Sequence, residues 1–337
     1  MIKTIKAFIL ASLIPLFAVL CLGGYWLISG LNAYQKQPLQ LTEIQMLEVE
    51  SGASVIKLAQ QLEQQAWIVD SWKVNYLVKL EPKLANIKTG LYQVIPGDTL
   101  ETLLNRLQLG QQIVFSATLI EGQTIAEWRQ TLATAEHLAQ GADDFNQVLL
   151  NHGDTSGLPE GKFYPETFHY HASDTLQTIL NRSYTMMQES LAQAWEGRDP
   201  QLALSSPYEL LIIASIIEKE TANPDECDWV SAVFNNRLKK GMRLQTDPTV
   251  IYGMGEHYKG NITHKDLRDA TAFNTYKIDG LPPTPIAAPS RASLFAAANP
   301  AKVDYLYFVS RNDGSHVFSS TLKAHNRAVN KFQRNRK

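Results

Sequence analysis

The chain has 337 residues, 45% hydrophobic and 19% charged, with a formal net charge of −2. That length exceeds one typical domain and is enough for two or more packed units, and the near-neutral balance gives no whole-chain basic field that would point to nucleic acid. Two cysteines, Cys21 and Cys227, make no disulfide framework and have no CxxC neighbour for a metal.

In chain order, the first element is a long apolar run. Lys3 and Lys6 precede it, and no charge follows from Ala7 to Gln35. Ala7 to Ile28 suffices to cross hydrocarbon, which takes about 20 helical residues, and exceeds the 7–15 apolar residues of a usual signal peptide. No small-residue cleavage site follows Ile28, and Leu20 is not the small residue that lipidation of Cys21 would need. An uncleaved anchor is expected, with Tyr25 and Trp26 in the interfacial belt and the lysines on the cytoplasmic side. Everything after about Tyr34 is then outside.

Three stretches share one pattern: a strand end, a Gly turn, a Ser or Thr cap and an amphipathic helix. They centre on Gly52 and Ser54, Gly97 and Thr99, and Gly122 and Thr124. The side-chain oxygen of the cap accepts from a free first-turn N–H. Residues 46–108 resemble a LysM module, a strand–helix–helix–strand unit that binds N-acetylated glycans, closed by a strand at Gly90–Val94. Local strand–turn–helix structure without a ligand gives the same pattern.

Residues 158–168 carry Pro and Gly and predict a structured loop or short strand, and residues 174–196 return to helical spacing. Ser206, Pro207 and Glu209 then predict a capped helix start with a capping box. Leu210 to Ile217 is almost wholly apolar, as in a helix buried on all sides, and it ends in Glu218-Lys219-Glu220. Carboxylates there oppose the helix dipole, and desolvation of one beside a buried apolar helix is expected; both effects raise a pKa toward what a general acid needs. Periodicity does not choose between Glu218 and Glu220, and simple pairing with Lys219, Arg237 or Arg243 explains either one. The basic cluster from Lys323 to Lys337 predicts a solvated C-terminal face.

Ala214-Ser215-Ile216-Ile217-Glu218-Lys219-Glu220 resembles the active-site helix of the MltG-type (YceG-like) endolytic murein transglycosylases. So do Asn235-Asn236-Arg237-Leu238, the run from Leu244 to Gly253, Asn274-Thr275-Tyr276, Gly280-Leu281-Pro282-Pro283, the run from Asp313 to Ser319, and His325-Asn326. Upstream, Glu160-Gly161 and Tyr164-Pro165-Glu166-Thr167-Phe168 fit as well. Thr284 stands where the family usually has Gly, and Ala288 is a milder change. The resemblance spans nearly the whole chain and implies an α+β fold: cytoplasmic N-terminus and transmembrane anchor over 1–34, LysM-like subdomain over 35–109, and mixed α+β catalytic domain over 110–337.

The resemblance places the catalytic carboxyl on Glu218. It implies non-hydrolytic cleavage of the β-1,4 bond between N-acetylmuramic acid and N-acetylglucosamine, with a 1,6-anhydro end, in nascent strands outside the cytoplasmic membrane. Gln245, Thr246, Asp247, Asn274, Thr275 and Tyr276 are candidates for the sugar groove, with Tyr252 or Tyr276 stacking on a ring; turn chemistry explains several of them equally. Glu220 and Glu166 are candidates to support Glu218. His316 and His325 read as structural or groove-lining, and no metal or cofactor is expected. The expected partners are peptidoglycan strands and a glycan-polymerising synthase. A lysozyme-like muramidase and a non-catalytic wall-binding scaffold are the alternatives.

Overall fold

The computed structural model describes residues 2–221 and 223–334, with side chains for Pro15 and from Phe17 onward. The side chains of Lys3 and Lys6, and all of Arg336 and Lys337, lie outside the described residues. The chain divides into two compact units, Met1–Phe115 with His171–Ser173, and Ser116–Tyr170 with Asp174–Lys337.

The first unit begins with helix α1 (Ile2–Gln35). Within it Phe17–Gln35 is long and apolar enough to cross a membrane. Its apolar side chains from Phe17 to Ile28 face outward, whereas Leu31 and Tyr34 are buried in the unit's core. Strand β1 (Gln45–Val49), helices α2 (Val55–Gln64) and α3 (Lys73–Leu80), and strand β2 (Gly90–Val94) follow, then α4 (Leu100–Leu109). This is the strand–helix–helix–strand order expected of the segment. β1 and β2 pair antiparallel from Gln45↔Val94 to Val49↔Gly90. Alternation turns Leu47 and Val49 inward beside Tyr92 and Val94. Asp98 sits in the turn before α4. It accepts from Arg106 in a two-pronged contact (2.7 and 2.9 Å) and from the Ile95 N–H (2.9 Å). Burial works against its charge, but these bonds prevail and hold its carboxyl below the usual range.

The second unit contains β3 (Phe115–Thr118, beginning at the seam), α5 (Ile125–Ala133), α6 (Asp144–Asn151), β4 (Thr167–Tyr170) and the long α7 (Leu176–Glu196). Then come α8 (Pro207–Glu220), α9 (Cys227–Lys239), α10 (Asp247–Met254), α11 (Arg291–Ala298), strands β5 (Tyr307–Ser310) and β6 (His316–Ser319), and α12 (Leu322–Val329). Among the described residues the strands form two-stranded sheets, β1–β2, β3–β4 and β5–β6. The architecture is thus mixed α+β with an N-terminal apolar helix.

The three expected helix starts form as read. Ser54 accepts from Lys57 N, while Thr99 and Thr124 close capping boxes with Thr102 and Glu127. At α8 the outcome differs slightly: Ser206 accepts from Glu209 N, but the Glu209 carboxylate reaches back to the N–H of Ser205 rather than Ser206. From Leu210 to Ile217 every residue of α8 is buried, with α7, α9, α10 and α11 packed around it.

Replacing Asp98 by Asn keeps the size of the side chain but leaves Arg106 without its carboxylate. Breaking a largely buried pair is expected to cost the first unit about 2–4 kcal/mol. Hydrogen exchange on the full chain reads this as lost protection in α4 and β2; unchanged protection would show that the pair contributes nothing net.

Candidate active site

The site is built at the end of α8. The Glu218 carboxylate enters a cleft of about 560 Å³, lined also by Gly122, Gln123, Lys219, Glu220, Cys227 and Ser290. Its Oε2 accepts from the backbone N–H of Ser290 at 2.9 Å. Ser290 caps α11, and its hydroxyl accepts from Ser293 N. The nucleus of the site is therefore a carboxyl carried by one helix and oriented by the cap of another.

Two further contacts set the walls. The Ser215 hydroxyl donates to Ile212 O (2.7 Å) and accepts from Ile286 N (3.0 Å), fastening α8 to the buried strip Ile286–Ala288. That strip pairs with the Gly122 turn: Gly122 N donates to Ala288 O, and Ala288 N donates to Gln123 O. Lys219 bends over the turn and donates to Gly122 O at 2.9 Å. Gly161 lies against the same strip. At φ +74° a Cβ there would come within 2.5 Å of Pro285, so only glycine fits.

Of the two carboxylates at the end of α8, Glu220 is the desolvated one. Burial, with help from the Asp247 charge, pushes it up to about 7, against the Thr246 hydrogen bond and Arg237. Thr246 Oγ1 donates to Glu220 Oε1. Glu220 also lines a second cleft of about 520 Å³ with Arg237, Gln245, Asp247, Tyr276 and His325. A third cleft, about 410 Å³, contains Glu166 and shares Glu121, Ser290 and Ala292 with the first. The second cleft thus has Glu220 in common with the first, and the third adjoins the first along Glu121, Ser290 and Ala292.

The candidate side chains separate into those in the groove and those beneath it. Gln245, Asp247 and Tyr276 face the second cleft, with the Tyr276 hydroxyl donating to Asp247 at 2.7 Å. Gln245 has a left-handed backbone (φ 51°), and its N–H donates to Thr275 O. Thr246, Asn274 and Thr275 were expected as groove contacts, but all three are buried. The Asn274 amide donates to the carbonyls of Asp266 and Asp269, and its oxygen accepts from Tyr276 N. Thr275 is bonded to Thr246 and Thr249. These side chains shape the wall and present no free polar atom to a ligand. Glu166 is exposed, and its carboxylate accepts from Thr167 N. Tyr252, expected to stack on a ring, instead directs its hydroxyl inward to Glu160 at 3.2 Å. His316 pairs with buried Glu226 at 2.7 Å, and His325 stacks on Tyr307 at the groove edge.

Sequence reasoning gave no role to Glu160. It is buried and accepts from Ile125 N, at the first turn of α5, and from Tyr252. Burial pushes it up to about 7, the hydrogen bonds opposing and the Glu127 charge adding. It joins α5, whose leading turn abuts Glu218, to α10, whose first residue is Asp247. Arg237 was foreseen only as an ion-pair partner. It is buried and donates to the carbonyls of Leu306, Arg243 and Leu244 and to the Gln245 side chain, thereby bracing the second cleft. Among the described residues no three His, Cys, Asp or Glu side chains group as a metal site.

A family model described as YceG-like family matches residues 47–331. The chain is 31% identical over 305 residues to the endolytic murein transglycosylase of Bacillus subtilis (strain 168), covering 85% of this chain and 84% of that one. With the endolytic murein transglycosylase of Streptococcus pneumoniae serotype 2 (strain D39 / NCTC 7466) it shares 25% identity, over 96% of this chain and 65% of the relative. A crystal structure of a YceG-like protein from Listeria monocytogenes superposes with a TM-score of 0.55 at 28% identity, covering 85% of this chain and 99% of that one.

Glu160 predicts a pH dependence. An unfolded chain ionises it near 4.5, the folded chain near 7. Between those values the folded state binds the extra proton, so this group's contribution falls as pH rises from about 4.5 through 7 and is constant above. Glu160→Gln stays neutral. Relative to the parent, its stability should improve by roughly 2–3 kcal/mol between pH 4.5 and pH 8. Paired denaturant titrations at the two pH values measure it; a difference independent of pH would refute the assignment.

Proposed function

The chain belongs to the YceG-like family, and we propose that it is an endolytic lytic transglycosylase of peptidoglycan with Glu218 as its acid and base. The observation that carries this reading is the open cleft at Glu218, flanked by further clefts that share Glu220 on one side and Glu121, Ser290 and Ala292 on the other. An enzyme that cuts inside a polymer needs a trough open at both ends, with the reactive group between them.

Glu218, protonated, donates to the glycosidic oxygen as the bond to muramoyl C1 breaks, freeing the 4-hydroxyl of N-acetylglucosamine. The resulting carboxylate, steadied by the Ser290 N–H, takes the proton of the muramoyl C6 hydroxyl while that oxygen closes on C1. The proton taken replaces the proton given, and the product is a 1,6-anhydro end. Because the nucleophile belongs to the substrate, orientation replaces a second reactant; effective molarities of about 10⁵–10⁸ M set the scale. One carboxyl then serves both steps, whereas a hydrolase commonly employs two. Glu220, Gln245, Asp247 and Tyr276 hold the strand on one side and Glu166 on the other. Thr246, Asn274 and Thr275 act from beneath by fixing the wall.

The localisation follows the apolar helix. α1 is a single-pass anchor in the cytoplasmic membrane, with the N-terminus inside and the groove outside, where nascent strands emerge beside a synthase. Residues 35–109 form a LysM-like subdomain that contacts glycan, and residues 110–337 form the catalytic domain. In support, the first unit carries its own cleft, about 370 Å³, lined by Glu50, Lys57, Gln60 and Gln61.

Incubation of the full chain with uncrosslinked glycan strands tests the reaction. The expected products are anhydro-ended fragments without solvent oxygen at C1, and Glu218→Gln is expected to slow their release by about 10²–10⁴-fold. Reducing ends labelled from heavy-oxygen water would establish a muramidase instead, and full activity in Glu218→Gln would remove that carboxyl from the mechanism.

A further inference from the structure

Helix α3 carries two apolar faces. Val74 and Leu77 point into the core of the first unit. Trp72, Tyr76 and Leu80, spaced four apart, form a second stripe on the outside, continued by Val69; these four are between 44% and 56% exposed. Trp72 and Tyr76 meet edge to face at 5.8 Å. An apolar stripe of this size that is left in water marks a contact surface.

The composition of the stripe fits one solvent. Lys73 and Lys79 lie within the stripe, Lys73 held by Asp70 at 2.8 Å at its edge, and Lys79 has no acidic partner among the ion pairs of the described residues. Their ammonium groups lie over the rings they flank, Lys73 at 5.8 Å from Trp72 and Lys79 at 5.4 Å from Tyr76. Trp and Tyr with lysines that extend past them suit the boundary between acyl chains and anionic headgroups.

The stripe is also tied to α1. The Tyr34 hydroxyl donates to Val69 O at 2.7 Å, and Lys73 Nζ lies 5.0 Å from the Tyr34 ring. Tyr34 stands two helical turns beyond Trp26, roughly 12 Å. Single spans commonly tilt by about 20°, a range within which a unit rooted on the span's outer end can lean on the bilayer.

We infer that the outer face of α3 is a second membrane contact, in which Trp72, Tyr76 and Leu80 enter the outer headgroup boundary and fix how the first unit leans on the bilayer. This rests on the reading of α1 as a membrane anchor. The contact converts a one-point tether into a two-point mount, since Leu31 and Tyr34 already root α1 in the same core.

The test reconstitutes the full chain in vesicles of phosphatidylcholine and phosphatidylglycerol, with acyl chains brominated at shallow or deep carbons, and reads tryptophan fluorescence. Trp26→Phe reports on the anchor and Trp72→Phe on the proposed contact; both are conservative changes at exposed positions. The expected result is that each variant lowers the quenched fraction, Trp72→Phe by a share comparable with that of Trp26→Phe and more with shallow bromine than with deep. If Trp26→Phe lowers quenching and Trp72→Phe does not, the stripe faces water or another protein and the proposal is overturned while the anchor stands. If neither lowers it, the anchor reading fails and takes the proposal with it.

Discussion

The second unit depends on having to bury α8 from every direction. A helix with Leu210 to Ile217 as its body has no polar face to leave in water. It therefore requires α7, α9, α10 and α11 as walls, and two of these walls bring a hydrogen-bond partner to its open end. α11 brings the Ser290 N–H to Glu218, and the segment leading into α10 brings Thr246 to Glu220. The position of the carboxyls is thus a consequence of packing, and a shift of α8 would move them against all of these partners together.

The local features of this fold could be read from the chain, because the partners in each lie three or four residues apart. Ser54, Thr99 and Thr124 cap the helices expected of them. The reading of the site was less complete for a physical reason. Glu160 meets Ile125 across 35 residues, and Glu218 meets Ser290 across 72; no periodicity encodes such pairs. Thr246, Asn274 and Thr275 have the right chemistry for sugar, yet that same chemistry satisfies backbone groups of the loops they occupy. A residue type states what a side chain can bond, and only the tertiary fold states with whom.

Glu160 and Glu220 belong together in this respect. Both are carboxyls that burial pushes up to about 7, both accept a hydroxyl hydrogen bond, and both sit on a connection to α10. A neutral acid inside protein avoids most of the desolvation cost of a charge while keeping donor and acceptor capacity. That suits groups whose task is to hold elements in register. Burial also pushes the Tyr252 and Tyr276 hydroxyls up, so both remain donors to the carboxylates they meet.

The division of labour at the end of α8 then follows from access. The Glu220 carboxyl is bound to Thr246 in the wall, at the margin of both clefts. Glu218 opens into the first cleft, where the Ser290 N–H orients one of its oxygens. Lys219, the nearest cation in sequence, is drawn aside to Gly122 O and forms no ion pair with Glu218. On the proposed mechanism this absence of a permanent countercharge matters, because an ion pair favours the ionised form of a carboxyl that has to give up and recover a proton.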